Sequence, residues 1–282
     1  MLAQFDGFVC VCILGIGTGL GYTTGIVIVG YNFDKRQSLA MGVAVSGAGV
    51  GMLTLSALMQ FARDNYGDFG FFMFLAGVFF HLVLFGMVCF PSSLELGGQK
   101  KRKLESKENS KRKCNITSMV QPYLKVGLNK GCLCLCCAMF TYCFGTCLLY
   151  LHLPEYIISK GFQAADGTFL LALSGVITLI GRFLTGLLLN FKIFGGMFLY
   201  IVTMILVAIA IGVFPFLVHS SIGQIMCIGS VGLFFGSCYV VLTVVTLMFV
   251  DISYLAAAIG LQMFFAGIGT LTGTVIAGIY VI

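Results

Sequence analysis

Charged side chains are scarce in this sequence, where Asp, Glu, Lys and Arg together make up 9% of the 282 residues. Soluble domains average roughly 25% charged residues, so this scarcity excludes a soluble globular protein. Hydrophobic residues make up 59% of the chain, and its mean hydropathy is +1.06. Because an apolar run of roughly 20 residues spans the hydrocarbon of a bilayer, the composition predicts an all-α, polytopic membrane protein.

Catalytic motifs are missing as well. The sequence has no HExxH pattern, no phosphate-binding loop, and no nucleophile, histidine and carboxylate set in a position that water would reach. These absences argue against hydrolytic and redox chemistry, so we expect neither an enzyme nor a cofactor. A re-entrant filter or a repeated ring of charges, which channels tend to show, is also lacking. A membrane channel nevertheless stays open as an alternative, because pore helices also carry glycine.

Eight apolar runs are long enough to cross a bilayer. They cover residues 8–31, 38–61, 70–90, 131–153, 168–189, 195–218, 222–249 and 255–282. The third run is crowded with phenylalanine and the sixth is poor in interior glycine, which is typical of outer helices that face lipid. Glycines recur in the first, second, seventh and eighth runs, where small residues favour close helix packing.

Residues 97–130 form the one long hydrophilic stretch and contain ten of the sixteen Lys and Arg residues. Because Lys and Arg beside a span favour the cytoplasm, we predict a cytoplasmic loop between a partial N-terminal half (1–96, three spans) and a C-terminal half (131–282, five spans). The stretch has the composition of a disordered linker, and it could also contact anionic lipid. We expect no nucleic-acid partner and no glycan on Asn115.

Six cysteines lie between Cys132 and Cys147, in the fourth apolar run. Neighbouring residues on a helix point in different directions, which disfavours a metal cage. We therefore predict no metal site. Packing and acylation of Cys132 or Cys134 near the membrane surface stay open as interpretations.

A short polar segment between the first and second spans contains Lys35 and Arg36. The span that follows carries Gly42, Gly47 and Gly51, and the four-residue spacing of the last two predicts a packing face. The stretch resembles the fifth-span signature of the monocarboxylate transporter family, within the major facilitator superfamily. The positions that match are Phe33, Lys35, Arg36, Leu39, Ala40, Gly42, Ala44 and Gly47. We therefore treat Lys35, Arg36, Gly42, Gly47 and Gly51 as a gating and packing motif.

Arg182 is the one Lys or Arg residue inside the eight predicted spans. A charge there costs about 2.5–3.5 kcal/mol on insertion scales, which marks a functional candidate. Two interpretations stay open: the side chain snorkels to the membrane surface, or its planar guanidinium binds a substrate carboxylate. Residues 153–190 resemble the seventh-to-eighth-span region of monocarboxylate transporters, in which an Asp four residues earlier pairs with this Arg. Thr178 occupies that position, so Arg182 and Thr178 are the candidate substrate-binding residues.

The resemblance also implies a twelve-span architecture with its site between two halves. The eight runs correspond to the fourth to eleventh spans, so we expect the first three spans and the last to be absent from this sequence. It further implies a secondary transporter of small organic solutes, above all monocarboxylates or related anions, with or without a coupled proton. The expected setting is the plasma membrane, with a single-span ancillary glycoprotein as a candidate partner. The alternatives are a channel and a truncated membrane protein that does not transport.

Overall fold

The computed structural model describes residues 2–33, 36–88, 96–97, 116–162, 164–191 and 194–281. Long helices make up almost all of these residues, and the described part of the chain contains no strand. In chain order the helices are α1 (Leu2–Asn32), α2 (Gln37–Val88), α3 (Ile116–Gly127), α4 (Lys130–Ser159), α5 (Ala164–Asn190), α6 (Gly196–Leu217), α7 (Ser221–Phe249) and α8 (Leu255–Val281). A 3₁₀ turn, Ile252–Tyr254, precedes α8. The prediction of an all-α fold is confirmed.

Six helical segments among the described residues are long and apolar enough to cross a membrane: Phe69–Met87, Lys130–Leu153, Phe169–Asn190, Gly196–Leu217, Ser221–Phe249 and Ile252–Ile276. They match the third to eighth predicted spans to within a few residues at most ends. The first two predicted spans, 8–31 and 38–61, are helical throughout and lie within α1 and α2. They are not among the six segments. The chain is therefore a multi-pass membrane protein.

Gly67 interrupts α2 at the polar break that the sequence places between the second and third spans. Its φ of 66° and ψ of −168° depart from helical values. This left-handed φ costs glycine little, because glycine lacks the Cβ that makes the conformation strained in other residues. One long run of helix is thus divided into two spans without a loop.

The core lies in the C-terminal half, where α4 packs along α8 and α7 lies between α5 and α6. Helix α7 is the most buried of the six membrane segments, at 61%, because its small residues admit neighbours on several sides. From the N-terminal half, Ile26 of α1 and Met41 and Val45 of α2 enter the same core cluster. The two halves therefore share one packed centre.

The two spans expected to face lipid are the least buried of the six. The Phe69–Met87 segment is 0% buried within the protein, and Gly196–Leu217 is 28% buried. Bulky side chains such as Phe80 and Phe85 lie exposed on the first of them. These observations confirm the assignment of both spans to the periphery.

Candidate functional site

Glycine residues bring α2 and α5 into close contact. A Cβ added to Gly42 would lie 3.0 Å from the Gly186 Cα atom and 3.0 Å from the Arg182 carbonyl oxygen. One added to Gly49 would lie 2.8 Å from the Cβ atom of Leu179. Such distances leave no room for larger side chains, so the two backbones cross at these positions.

The packing face of α2 differs from the one predicted through Gly47 and Gly51. No described atom outside α2 lies within 4 Å of where a Cβ would stand on either residue. Gly42 and Gly49 occupy the interface instead, because their seven-residue spacing returns to the same side of a helix after two turns. Arg36 lies exposed in the turn before α2, and Lys35 lies outside the described residues.

Helices α5 and α7 are joined by small residues and by hydroxyl groups. The Thr178 hydroxyl donates to the Gly232 carbonyl oxygen at 2.8 Å, and the Thr185 hydroxyl donates to Ser237 Oγ at 2.7 Å. A Cβ on Gly236 would lie 2.7 Å from Arg182 Cγ. Thr178 therefore has a structural partner, and it lies one helical turn from Arg182.

Arg182 is buried at the centre of these crossings, with 5% of its surface exposed. Its Nη1 atom donates to the Val45 carbonyl oxygen of α2 at 2.5 Å. Its guanidinium carbon lies 6.0 Å from the centre of the Tyr239 ring of α7, within the range of a cation–π contact. The side chain thus lies inside the bundle and does not extend along the surface that faces lipid.

Not every N–H group of the guanidinium has a hydrogen-bond partner among the described residues. Arg182 Nε is buried and has no hydrogen-bond partner among the described residues. No carboxylate of the described residues forms an ion pair with Arg182. A buried charge that lacks a counter-charge is costly, so Arg182 is a candidate functional residue.

Four aromatic residues form a cluster between α4 and α7, beside Arg182. Tyr142 stacks on Phe235 at 5.8 Å and meets the edge of Tyr239 at 6.1 Å, while Tyr150 contacts Phe235 at 5.4 Å. The Tyr142 hydroxyl donates to the Phe235 carbonyl oxygen at 2.9 Å. Hydrogen bonds of this kind satisfy the polar end of a buried tyrosine and hold the rings in place.

Tyrosines from three helices lie near the arginine. Tyr22 of α1, Tyr142 and Tyr150 of α4, and Tyr239 of α7 lie within electrostatic reach of Arg182. The sequence analysis missed these residues. The signal that could have found them is a tyrosine in the interior of a span, where its hydroxyl requires a partner.

The cysteines of α4 point in different directions, as the helical geometry predicts. Cys132 and Cys136 are buried, whereas Cys134 and Cys137 are exposed. Among the described residues, no three His, Cys, Asp or Glu side chains come together in a way that could hold a metal ion. Burial of Cys132 argues against its acylation.

The two halves also meet at one end of the bundle. The Tyr31 hydroxyl of α1 donates to the Ile252 carbonyl oxygen at 3.0 Å, across 221 residues of sequence. A Cβ on Gly30 would lie 2.8 Å from a Leu255 methyl group. We call these contacts the end joint. Both contacts join the end of α1 to the start of α8 and the turn before it.

Comparison with known proteins agrees with this geometry. The chain is similar to monocarboxylate transporter 12 of Mus musculus, at 26% identity over 94% of this chain and 59% of the relative. It is similar to monocarboxylate transporter 9 of Pongo abelii, at 23% identity over 94% of this chain and 67% of the relative. Monocarboxylate transporter 13 of Rattus norvegicus is 26% identical over 61% of this chain and 36% of its own length.

These comparisons confirm the resemblance that the motifs indicate. The chain spans about three fifths of the length of the mouse relative. The family model for the Major Facilitator Superfamily matches residues 6–279, which is nearly the whole chain. With its apolar spans and its interhelical polar centre, the chain therefore belongs to the Major Facilitator Superfamily.

Proposed function

We propose that this protein is a secondary transporter of small organic anions, monocarboxylates above all, and that Arg182 receives the carboxylate. The observation that carries the proposal is a buried arginine with an unpartnered Nε atom and no paired carboxylate among the described residues. The names of the relatives support the same class of substrate. We also propose that the protein is located in the plasma membrane.

A substrate carboxylate would complete the arginine's interactions. Guanidinium and carboxylate groups match in a planar, two-bond geometry, and hydrogen bonds to charged groups contribute about 1.5–3 kcal/mol. One donor already binds the Val45 carbonyl oxygen, which fixes the orientation of the side chain. The remaining donors are the ones that an anion would meet.

The aromatic cluster supports a substrate whose body is apolar. Rings of Tyr142, Phe235 and Tyr239 lie beside the arginine, so a carboxylate bound there would have its carbon skeleton against aromatic faces. Small-molecule sites commonly combine apolar walls with a few placed polar groups. A monocarboxylate has this division into one charged end and one apolar end.

Transport by alternating access requires contacts between halves that form and break. The end joint, with Tyr31 bonded to Ile252, is the contact that we assign to closure on the predicted cytoplasmic side. The Thr178 hydroxyl donates to the Gly232 carbonyl oxygen, and threonine lacks the titratable carboxyl of the Asp that the family has at this position. We therefore propose uptake that does not use a proton at this position.

The experiment is initial-rate uptake of a panel of monocarboxylates and their uncharged amides by cells that express the protein, normalised to surface protein. Arg182→Gln should lower kcat/KM for the carboxylates by about ten- to a hundredfold, which is the equivalent of the charge-assisted hydrogen bonds. Arg182→Lys keeps the charge but loses the planar guanidinium. Its kcat/KM should therefore lie between those of the wild type and Arg182→Gln. Uptake of amides should be low in every variant.

Arg63→Gln is the matched control, because Arg63 is an exposed arginine on α2 and its loss should leave kcat/KM unchanged. Unchanged KM and kcat in Arg182→Gln would contradict the role of Arg182. Lack of saturable uptake and of counterflow for every carboxylate in the wild-type protein would contradict the transporter assignment itself.

A further inference from the structure

A recess of ≈ 120 Å³ lies at the membrane end of the C-terminal half, where α3, α4, α7 and α8 meet. Its lining includes Lys125, Asn129, Phe249, Asp251 and Tyr254. Helix α4 begins at Lys130 and α7 ends at Phe249, so the recess lies where two membrane spans reach the surface. It is separate from the site around Arg182 and lies next to the end joint, because Ile252 is in the same turn as Asp251 and Tyr254.

The recess contains one positive and one negative group that do not neutralise each other. Lys125 Nζ donates to the Tyr254 hydroxyl at 3.3 Å and lies 4.6 Å from the centre of the same ring. The Asp251 carboxylate is exposed and makes no hydrogen bond or ion pair with the described part of the chain. A ligand with both an anionic and an ammonium group would satisfy both residues.

The walls of the recess are held rigidly by other contacts. Asn129 Nδ2 donates to the Phe249 carbonyl oxygen at 2.8 Å, while its Oδ1 accepts from Gly131 N at 3.0 Å and caps α4. Val126 of α3 is 2% exposed and packs with Ala257 and Ala258 of α8. The backbone that carries Lys125 is therefore held in place, which reduces the entropic cost of binding a ligand.

The exposed side of α3, next to the recess, is apolar. Tyr123, Leu124 and Leu128 are 50%, 55% and 82% exposed, and Leu128 lies one turn after Leu124. An amphipathic helix beside a span lies in the plane of the membrane interface, with its apolar face at the acyl boundary. The exposed side of α3 then provides contacts for acyl chains next to the recess.

We infer that this recess binds the headgroup of an aminophospholipid, with its phosphate at Lys125 and its primary amine at Asp251. Phosphatidylethanolamine and phosphatidylserine carry both groups, whereas phosphatidylcholine has no N–H to donate and phosphatidylglycerol has no amine. The local charge favours the phosphate, since residues 116–130 contain two Lys residues and no acidic one. This inference does not depend on which solute the protein transports.

Tryptophan fluorescence can report on a single position, because the sequence contains no tryptophan. In the full chain carrying Leu124→Trp, all tryptophan emission comes from α3, beside the recess. The purified protein is reconstituted in phosphatidylcholine to which one brominated lipid is added: phosphatidylethanolamine, phosphatidylserine, phosphatidylglycerol or phosphatidylcholine. Because bromine quenches at short range, the quenching gives the association constant of each lipid at α3 relative to phosphatidylcholine.

We expect phosphatidylethanolamine to associate about two- to fivefold more strongly than phosphatidylcholine, which has the same net charge and lacks the amine protons. Asp251→Asn should reduce this ratio to about one and leave the ratio for phosphatidylglycerol unchanged. Lys125→Gln should lower the ratio for phosphatidylserine by about fivefold, the equivalent of one basic residue at a membrane surface. Lys125→Arg should restore it.

Phe198→Trp is the matched control, since Phe198 is 58% exposed near the start of α6 and does not line the recess. It should show no preference between phosphatidylethanolamine and phosphatidylcholine. Equal quenching by these two lipids at Leu124→Trp would overturn the inference, as would an unaltered preference in Asp251→Asn. If no brominated lipid quenches the emission, α3 lies in water or binds a soluble partner, and the inference is wrong. Tyr123→Trp repeats the measurement if Leu124→Trp does not reconstitute.

Discussion

Arg182 illustrates how a single buried charge can be oriented without being neutralised. The Val45 carbonyl oxygen and the Tyr239 ring supply partial negative charge, and neither carries a full one. Thr178, one turn away, could not provide a counter-charge, and its hydroxyl is already bonded to Gly232. The residue most able to change the chemistry of this centre is therefore the one at position 178.

Thr178→Asp should make uptake depend on pH. At high pH an ionised carboxylate would pair with Arg182 and compete with the substrate, because opposite charges this close favour the ionised form. As pH falls, protonation would release Arg182, and the acid could then donate to the Gly232 carbonyl oxygen as the threonine does. We expect kcat/KM for a carboxylate to rise as the pH of the medium is lowered.

The measurement is initial-rate uptake across pH, with Thr178→Asn as the matched control. Asparagine has nearly the same shape as aspartate and does not titrate, so its profile should follow that of the wild type. Identical pH profiles for Thr178→Asp and Thr178→Asn would show that the side chain at position 178 does not interact with Arg182.

At the scale of helices, the crossing of α2 and α5 determines where Arg182 can reach. Gly42 and Gly186 let the backbones approach, and this approach brings the Val45 carbonyl oxygen within hydrogen-bond distance of the guanidinium. Small residues serve this purpose in membrane proteins because association there depends on close van der Waals contact. The glycine contact and the arginine's orientation are thus parts of one interface.

Gly42→Ala should destabilise the protein, because its Cβ would lie 3.0 Å from backbone atoms of α5. Overpacking of this kind costs about 1–3 kcal/mol. Gly47→Ala, five residues along the same helix and facing open space, should be neutral or slightly stabilising, since alanine is the better helix former by about 1 kcal/mol. Thermal unfolding of the purified variants in detergent compares them. Equal melting temperatures for the pair would place the α2 interface elsewhere.

At the scale of the whole molecule, the two halves are joined at the core and again at the end joint. Ile26, Met41 and Val45 enter the common core, while Tyr31 reaches the turn before α8. The core contacts are apolar and extensive, whereas the end joint includes the Tyr31–Ile252 hydrogen bond and the tight contact between Gly30 and Leu255. We expect the end joint to be the contact that opens during transport.

Tyr31→Phe should loosen the end joint while leaving the core intact, because it removes one hydroxyl and keeps the ring. Interhelical hydrogen bonds in membrane proteins contribute about 0.6 kcal/mol on average and up to about 1.7 kcal/mol. We expect faster amide hydrogen exchange in residues 251–255 of the reconstituted variant and unchanged exchange in α5 and α7. Tyr123→Phe, which alters an exposed tyrosine of α3, is the control. Unchanged exchange in residues 251–255 would show that the hydroxyl does not hold the turn.

Much of the architecture follows from the sequence alone. The long apolar runs, the scarcity of charge and the break near Gly67 predicted the membrane segments, because the thickness of a bilayer sets the length of an apolar helix whatever its neighbours are. The same reasoning identified Arg182, since a charge inside a span is conspicuous. The peripheral position of the third and sixth spans could also be predicted from their residue types.

Tertiary structure decided which faces meet. The sequence placed Gly42, Gly47 and Gly51 in one packing motif, and the described part of the fold uses Gly42 and Gly49, because glycines on several sides of one helix are equivalent until a partner helix selects among them. The tyrosines around Arg182 come from three helices far apart in sequence, and no local pattern relates them. Spacing along one helix determines what shares a face, whereas the contacts between helices determine what that face touches.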